Sequence, residues 1–233
     1  MVAYPCVVWH ETASKPLWCK TSNRGEILTA MTHEEIEKLK HAPAVKGIPE
    51  LLLRRWSPRA FSDREIAAHD LEKLFVAASW AASSLNEQPW LFFLGRRGDT
   101  TYKKILDSLV EFNQGWAKGA PVLVLSIAKT VFSHNSSPNA FGLHDTGAAS
   151  ENLALQATAL GLHTHSMAGF DKHKARESFG VPAEYDMGAV TAVGYLGDPS
   201  SLPEAYREKE LESRTRKPVS EFVFSDWGEP AIF

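Results

Sequence analysis

The stretch HDTGAASENLALQATALGLHTHSMAGFD, residues 144–171, decides how the chain is expected to fold. From His144 to Leu160 it is long, rich in alanine and free of proline, which predicts a central helix closed by Gly161 as its C-terminal cap. Alanine and leucine stand on nearly all of its faces, so burial all round is expected. Thr164 to Ala168 then reads as a short strand, and Gly169 would let backbone N–H groups approach a flat ligand closely. The helix and strand do not continue into a regular βαβ alternation. No GxGxxG, GKS or GKT sequence follows a predicted strand, which argues against a Rossmann domain and a P-loop. The expectation is an α+β fold.

Working outward, Lys172 to Phe179 reads as a helix and Met187 to Tyr195 as a strand. Toward the N-terminus, Pro121 to Ile127 is a buried strand, Thr100 to Val110 an amphipathic helix and Trp90 to Leu94 a strand. Asp70 to Ser83 carries Leu71, Leu74, Phe75 and Ala78 at helical spacing, with Asp70 available as N-cap. Thr32 and Glu35 form a capping-box pattern that predicts a short helix stopping near His41 and Pro43. A further helical segment begins at Pro49 and runs into Arg54-Arg55-Trp56-Ser57-Pro58-Arg59, where Pro58 forces Ser57 out of the helical region. The first 30 or so residues lack periodicity and read as an irregular arm.

The 233 residues carry 25 basic and 28 acidic groups, a net charge of −3, and a pI of about 6.3. That balance argues against a nucleic-acid binder, whose footprint would be a strongly basic face. At this length a core forms without a disulfide or metal staple. Cys6 and Cys19 fit no zinc or CxxC spacing, so reduced thiols are expected. The N-terminus lacks the features of a targeting signal and no apolar run is long enough to span a bilayer, so the expected location is cytoplasmic. Asn135-Ser136-Ser137 reads as a polar loop.

Three constellations could carry chemistry. Arg55, Ser57 and Arg59 place two guanidinium forks and a hydroxyl at a chain bend, which suits a phosphate; a solvated basic helix end is the alternative. Ala82 to Trp90 forms a polar loop with Ser83, Ser84, Asn86 and Gln88, suited to a ligand edge or simply to a capped turn. Ser166 to Asp171 offers backbone donors around Gly169 or an ordinary tight turn. A second basic cluster, Arg214, Arg216 and Lys217, takes its meaning from what it folds against. No metal site is expected: HExxH is absent, and His163 and His165 are expected on opposite faces of a strand. There is no GxSxG elbow for a hydrolase serine.

Arg54-Arg55-Trp56-Ser57-Pro58-Arg59-Ala60-Phe61, Ser83 to Trp90, Gly161-Leu162 with Met167 to Asp171, and Arg214 to Pro218 occur in an order that resembles the FMN-dependent nitroreductase family. The resemblance runs from about Leu51 to Pro218. It divides the chain into an N-terminal arm and short helix, 1–45, and a nitroreductase-like FMN-binding domain, 46–233. It implies a three-layer α+β sandwich with a mixed, mainly antiparallel sheet flanked by helices, forming a homodimer with FMN at the subunit interface. It also implies that Arg55, Trp56 and Ser57 lie toward the flavin phosphate side, with Arg214 and Arg216 completing the clamp. Arg59 would face the ring's N1/O2 edge. Ser83, Ser84 and Asn86 would come from the other subunit, and Asn113 would bond the pyrimidine edge. Ala168 and Gly169 would set a backbone N–H near N5.

The activity implied is hydride transfer from NAD(P)H to FMN and then, in ping-pong fashion, to a nitroaromatic, quinone or similar acceptor. Dehalogenation, enone reduction, peptide oxidation and non-catalytic flavin storage are the alternatives. A guanidinium at N1/O2 favours flavin reduction, so Arg59 and the Ala168 N–H are the residues expected to bear on the chemistry. Ala168 stands where some family members carry an acidic residue. Trp116 stands where some carry a second basic one, and either lines the pocket or belongs to the core.

Overall fold

The computed structural model describes residues 31–233. The predicted arm, with Cys6 and Cys19, lies outside the described residues. Contacts divide the chain into Met1–Ala30 and Met31–Phe233, and only the second unit is described below.

Helix α1, His33–Lys40, begins with the predicted capping box, in which Thr32 and Glu35 satisfy each other's backbone donors. Helix α2, Glu50–Arg54, stops where the approach of Pro58 demands extended chain. Helix α3, Ala68–Ser79, buries Leu71, Leu74 and Ala78. Its N-cap is Ala67 rather than Asp70; Asp70 sits in the first turn, where its carboxylate receives Lys73 at 2.9 Å and favours the helix dipole. Strand β1, Trp90–Arg96, is followed by α4, Thr100–Ser108, and α5, Glu111–Ala117.

Strand β2, Val122–Lys129, leads to α6, Gly142–Ala159, then β3, His163–Met167, α7, Lys172–Phe179, and β4, Tyr185–Gly194. Helix α8, Glu204–Leu211, and a small hairpin of β5, Phe224–Asp226, and β6, Glu229–Pro230, follow. The main sheet has the order β1-β2-β4-β3, and its three pairings are all antiparallel.

Both faces of this sheet are covered, which explains why β2 is apolar without alternation. Leu123, Leu125 and Ile127 pack with Tyr102, Ile105 and Trp116 on one side. Val122 and Val124 pack with Leu74, Ala149 and Leu153 on the other. Each such side chain contributes roughly 1.5–3 kcal/mol on burial. The expected sandwich of helices around a sheet is therefore present.

Ser126 interrupts β2 at a shift in register between Leu125 and Ile127. Its Oγ accepts from Ala189 N at 3.0 Å and donates to Ala189 O at 3.2 Å. A methyl at Gly188 would stand only 2.5 Å from that oxygen, so the crossing admits no side chain there.

Helix α6 is not buried all round. Asp145, Thr146, Ala149, Leu153 and Ala157 face inward, while Leu143, His144, Gly147 and Ala148 are exposed. One side of the helix covers the sheet and α3, and Leu143, His144, Gly147 and Ala148 on the other stay exposed among the described residues. Gly161 ends it as expected, in the left-handed region at φ +72°.

Candidate functional site

The two basic motifs meet. A cleft of about 220 Å³ gathers Arg55, Ser57 and Arg59 from the chain bend with Arg214 and Arg216 from the C-terminal segment. Lys40 of α1 and Lys209 of α8 also line it. Neither lysine was singled out in the sequence, because their contribution depends on where two short charged helices dock.

Arg214 spends its terminal nitrogens on the chain bend itself, donating to Leu53 O and Arg55 O at 2.5 Å each. Burial holds its pKa below the usual arginine value, with Arg216 and Arg55 adding like-charge repulsion. Among the described residues Arg216 donates only to its neighbouring Thr215 carbonyl, at 2.8 Å. Arg55 reaches Ser57 Oγ at 3.4 Å and Glu151 of α6 at 3.5 Å. Lys40 is 4% exposed and donates to Glu212 O at 2.5 Å. Burial lowers its pKa, against the opposing pull of Glu210 and Glu212.

Glu210 is the buried acid in this cationic group, 1% exposed. Trp56 is 4% exposed and packs with Ile36 and Leu196, so it is mainly a structural wall of the cleft. Its indole meets His163 edge-on at 5.6 Å.

Arg59 lies over Trp116, 5.9 Å from the ring centroid. Trp116 is 2% exposed and packs beside Phe61 and His165, which places it in the core. The Nε atoms of Arg59 and Arg214 and Nε1 of Trp116 are buried with no partner among the described residues. His165 Nδ1 donates to Pro58 O at 2.9 Å. Burial, reinforced by Arg59, lowers the His165 pKa to about 4, so the ring is neutral near pH 7.

The two strand histidines do not point to opposite faces. Residues two apart share a face of a strand: His163 Nε2 meets Glu37 at 2.8 Å, and His165 stacks near Trp116 on the same side. Their separate partners keep them from forming a ligand set, and no metal-binding cluster occurs among the described residues.

Asn113 and Gly169 also come together. Asn113 Nδ2 donates to Gly169 O at 2.9 Å, leaving its side-chain oxygen without a partner in that contact. A Cβ at Gly169 would stand 2.7 Å from the same nitrogen, so a side chain there would have to push the Asn113 amide aside. Ala168 follows β3 and is exposed.

Ser83, Ser84 and Asn86 do not line the basic cleft. Their loop is fastened elsewhere, with Ser84 N donating to Asp145 of α6 at 3.0 Å and Gln88 N to Ser83 Oγ at 3.0 Å. Leu85, Asn86 and Gln88 adopt positive φ, an uncommon concentration of left-handed, non-glycine residues. A larger cavity of about 450 Å³ is lined by Ser126, Thr164, Ser166 and Gly188 of the sheet strands and by Thr146 and Ser150 of α6. Arg55 and Ser57 line both cavities.

A family model described as "Nitroreductase family" matches residues 52–114 and 96–195. An uncharacterized 15.4 kDa protein from Mycolicibacterium smegmatis is 32% identical over 147 residues, covering 60% of this chain and 98% of the relative. A relative from Archaeoglobus fulgidus, named "Putative NADH dehydrogenase/NAD(P)H nitroreductase", is 29% identical over 160 residues, covering 67% of this chain and 89% of the relative. A solved structure described as an oxidoreductase containing FMN aligns with a TM-score of 0.74 and 34% identity, covering 79% of this chain and 94% of that one. Among the described residues, no helix is long and apolar enough to cross a membrane. With its matched span, its antiparallel sandwich and its paired basic motifs, the chain belongs to the Nitroreductase family.

Proposed function

We propose that this protein is an FMN-dependent oxidoreductase that draws reducing equivalents from NAD(P)H and delivers them to nitroaromatic, quinone or similar acceptors in alternation. The observation that carries this reading is the meeting of Arg55, Ser57 and Arg59 with Arg214 and Arg216 in one cleft. Such a concentration of guanidinium groups suits a phosphate dianion, which they would neutralise through charge-assisted hydrogen bonds. Arg59 Nε, buried without a partner among the described residues, leaves that guanidinium a donor for a ligand acceptor beside the phosphate. The names of the Archaeoglobus relative and of the FMN-containing structure support the redox class and the cofactor.

In this reading Arg55, Ser57 and Arg216 hold the phosphate, while Arg214 braces the bend that presents them. Arg59 supplies positive charge at the flavin's N1/O2 edge. Asn113 offers its side-chain oxygen to the pyrimidine edge, and the backbone at Ala168 and Gly169 faces N5. Bound FMN supplies two-electron chemistry, so the protein needs no nucleophile of its own. Ser83, Ser84 and Asn86 serve the site of the second subunit in a homodimer, consistent with their separation from the cleft in a single chain. The domain that does this spans 46–233, with residues 1–45 outside it.

The test is the visible spectrum of the purified protein before and after FMN is added and the excess removed. Retained flavin bands that bleach with NADH or NADPH and recover over many cycles of added acceptor support the proposal. Failure to retain FMN at any concentration overturns it.

A further inference from the structure

Glu210 lines the arginine cleft from α8, which lies outside the span matched by the family model. Its Oε1 accepts the backbone N–H groups of Arg59 and Ala60 at 2.8 and 3.0 Å, bridging about 150 positions of sequence. Those amides follow Pro58, which ends any helical continuation, and a carboxylate receiving both fixes the direction in which Arg59 leaves the bend. Arg214 grips the preceding part of the same segment through Leu53 O and Arg55 O. The bend is therefore held by one anion at its amides and one cation at its carbonyls, both from residues 210–214.

Burying a carboxylate at 1% exposure is costly without compensation. The two amides provide part of it. Lys40 of α1 provides another, held in place by the Lys209 and Glu212 carbonyls at 3.4 and 2.5 Å and by the Trp56 ring at 5.0 Å. Glu210 Oε2 has no hydrogen-bond partner among the described residues. A residue serving packing alone would not require this charge. An apolar side chain of similar volume would fill the space but would leave the Arg59 and Ala60 amides without their acceptor.

We propose that Glu210 is a positioning residue for the anion cleft: by clamping the Arg59 and Ala60 amides, it sets where the Arg59 guanidinium stands. The inference rests on the flavin reading for the identity of the ligand, but the clamp can be measured without one.

Residue-resolved amide exchange on the wild-type full chain is the first arm, with Ser57 N–H as the exposed neighbour. Slow exchange at Arg59 and Ala60 supports the clamp; exchange as fast as at Ser57 overturns it, whether or not flavin binds. The second arm compares Glu210→Ala with Glu210→Gln, which retains an acceptor oxygen. The readouts are the FMN dissociation constant, the midpoint potential of the bound flavin, and exchange within β2 as a control for global unfolding.

The expected result for Glu210→Ala is FMN binding weaker by about tenfold or more, the scale of a lost charge-assisted hydrogen bond, with a lowered midpoint potential and unchanged β2 exchange. Glu210→Gln should recover most of both properties. Unchanged affinity and potential in folded Glu210→Ala, or equal defects in both variants, overturns positioning by the clamp. If Glu210→Ala does not fold, Glu210→Gln decides: near-wild-type affinity and slow Arg59 exchange support the proposal, and loss of either overturns it. A wild-type protein that binds no FMN defeats the flavin reading, and the first arm then decides the clamp alone.

Discussion

His165 Nδ1 donates to the carbonyl oxygen of Pro58 at 2.9 Å, tying β3 to the bend that carries the arginines. Because a carbonyl only accepts, the proton is on Nδ1 and the ring needs no second proton to make this bond. The folded pKa of about 4 lies below the ordinary value of 6.5. As pH falls below 6.5 the unfolded chain takes up the proton while the folded one resists it, so stability drops until pH reaches about 4. Between pH 7 and pH 5 this group alone should cost about 2 kcal/mol. Urea unfolding of wild type and His165→Gln at the two pH values checks it: the drop should be smaller in the variant by about that amount.

The phosphate reading separates the two C-terminal arginines. Arg216 makes no hydrogen bond to the described residues of the bend, so Arg216→Ala should leave the melting temperature nearly unchanged and weaken FMN binding by about 1.5–3 kcal/mol. Riboflavin, which lacks the phosphate, should bind both proteins alike. Arg214→Ala should lower both FMN affinity and stability, because the Leu53 and Arg55 carbonyls lose their donor. Fluorescence titration with each flavin, beside a thermal melt, reads these effects. Equal riboflavin and FMN losses in Arg216→Ala would remove the phosphate assignment.

Arg59 is assigned to the ring rather than the phosphate, and its guanidinium is supported by the face of Trp116 at 5.9 Å. Arg59→Ala should bind FMN more weakly and, once loaded with it, accept hydride from NAD(P)H at least about tenfold more slowly, since charge stabilisation at the ring is lost. Stopped-flow bleaching gives the rate. A wild-type rate would mean that another group supplies the charge.

Gly169 offers a steric test. In Gly169→Ala the new Cβ would meet Asn113 Nδ2 at 2.7 Å and Val110 Cγ2 at 3.2 Å, so the 2.9 Å bond between Asn113 and Gly169 O must open or shift. A loss of about 1–3 kcal/mol in stability is expected, the usual cost of overpacking. Asn113→Ala, which removes the obstructing group, should make the second substitution less costly in a double-mutant cycle. Strict additivity would show that the close approach carries no strain.

The legible elements were those whose burial shows in local spacing. The β2 run Val122 to Ile127 and the α3 positions Leu71, Leu74 and Ala78 carry their burial in their own residues. Helix α8 was not read because Glu-Ala-Tyr-Arg-Glu-Lys-Glu-Leu buries only Tyr206 and Glu210, which leaves no apolar period to detect. Helix α5 is short, and Gly115 interrupts its pattern.

Within the site, the arginine motifs were visible as motifs. Their convergence with Lys40 and Lys209 depends on docking across the chain. The environment of Trp116 is likewise decided by Phe61 and His165, residues no local window contains. The histidine geometry follows from strand alternation alone: His163 and His165 share a face because they are two residues apart.

Ser126 has a consequence for the specificity of strand assembly. Because both faces of β2 are apolar, a slip of one residue against β4 would exchange Leu123 and Leu125 for Val122 and Val124, at little cost in hydrophobic character. Burial alone is thus a poor ruler for this seam, which joins segments far apart in sequence. The two bonds between Ser126 Oγ and Ala189, in a gap held open by Gly188, exist at one alignment and supply the missing index mark. A single hydroxyl thereby keeps the two halves of the sheet in step.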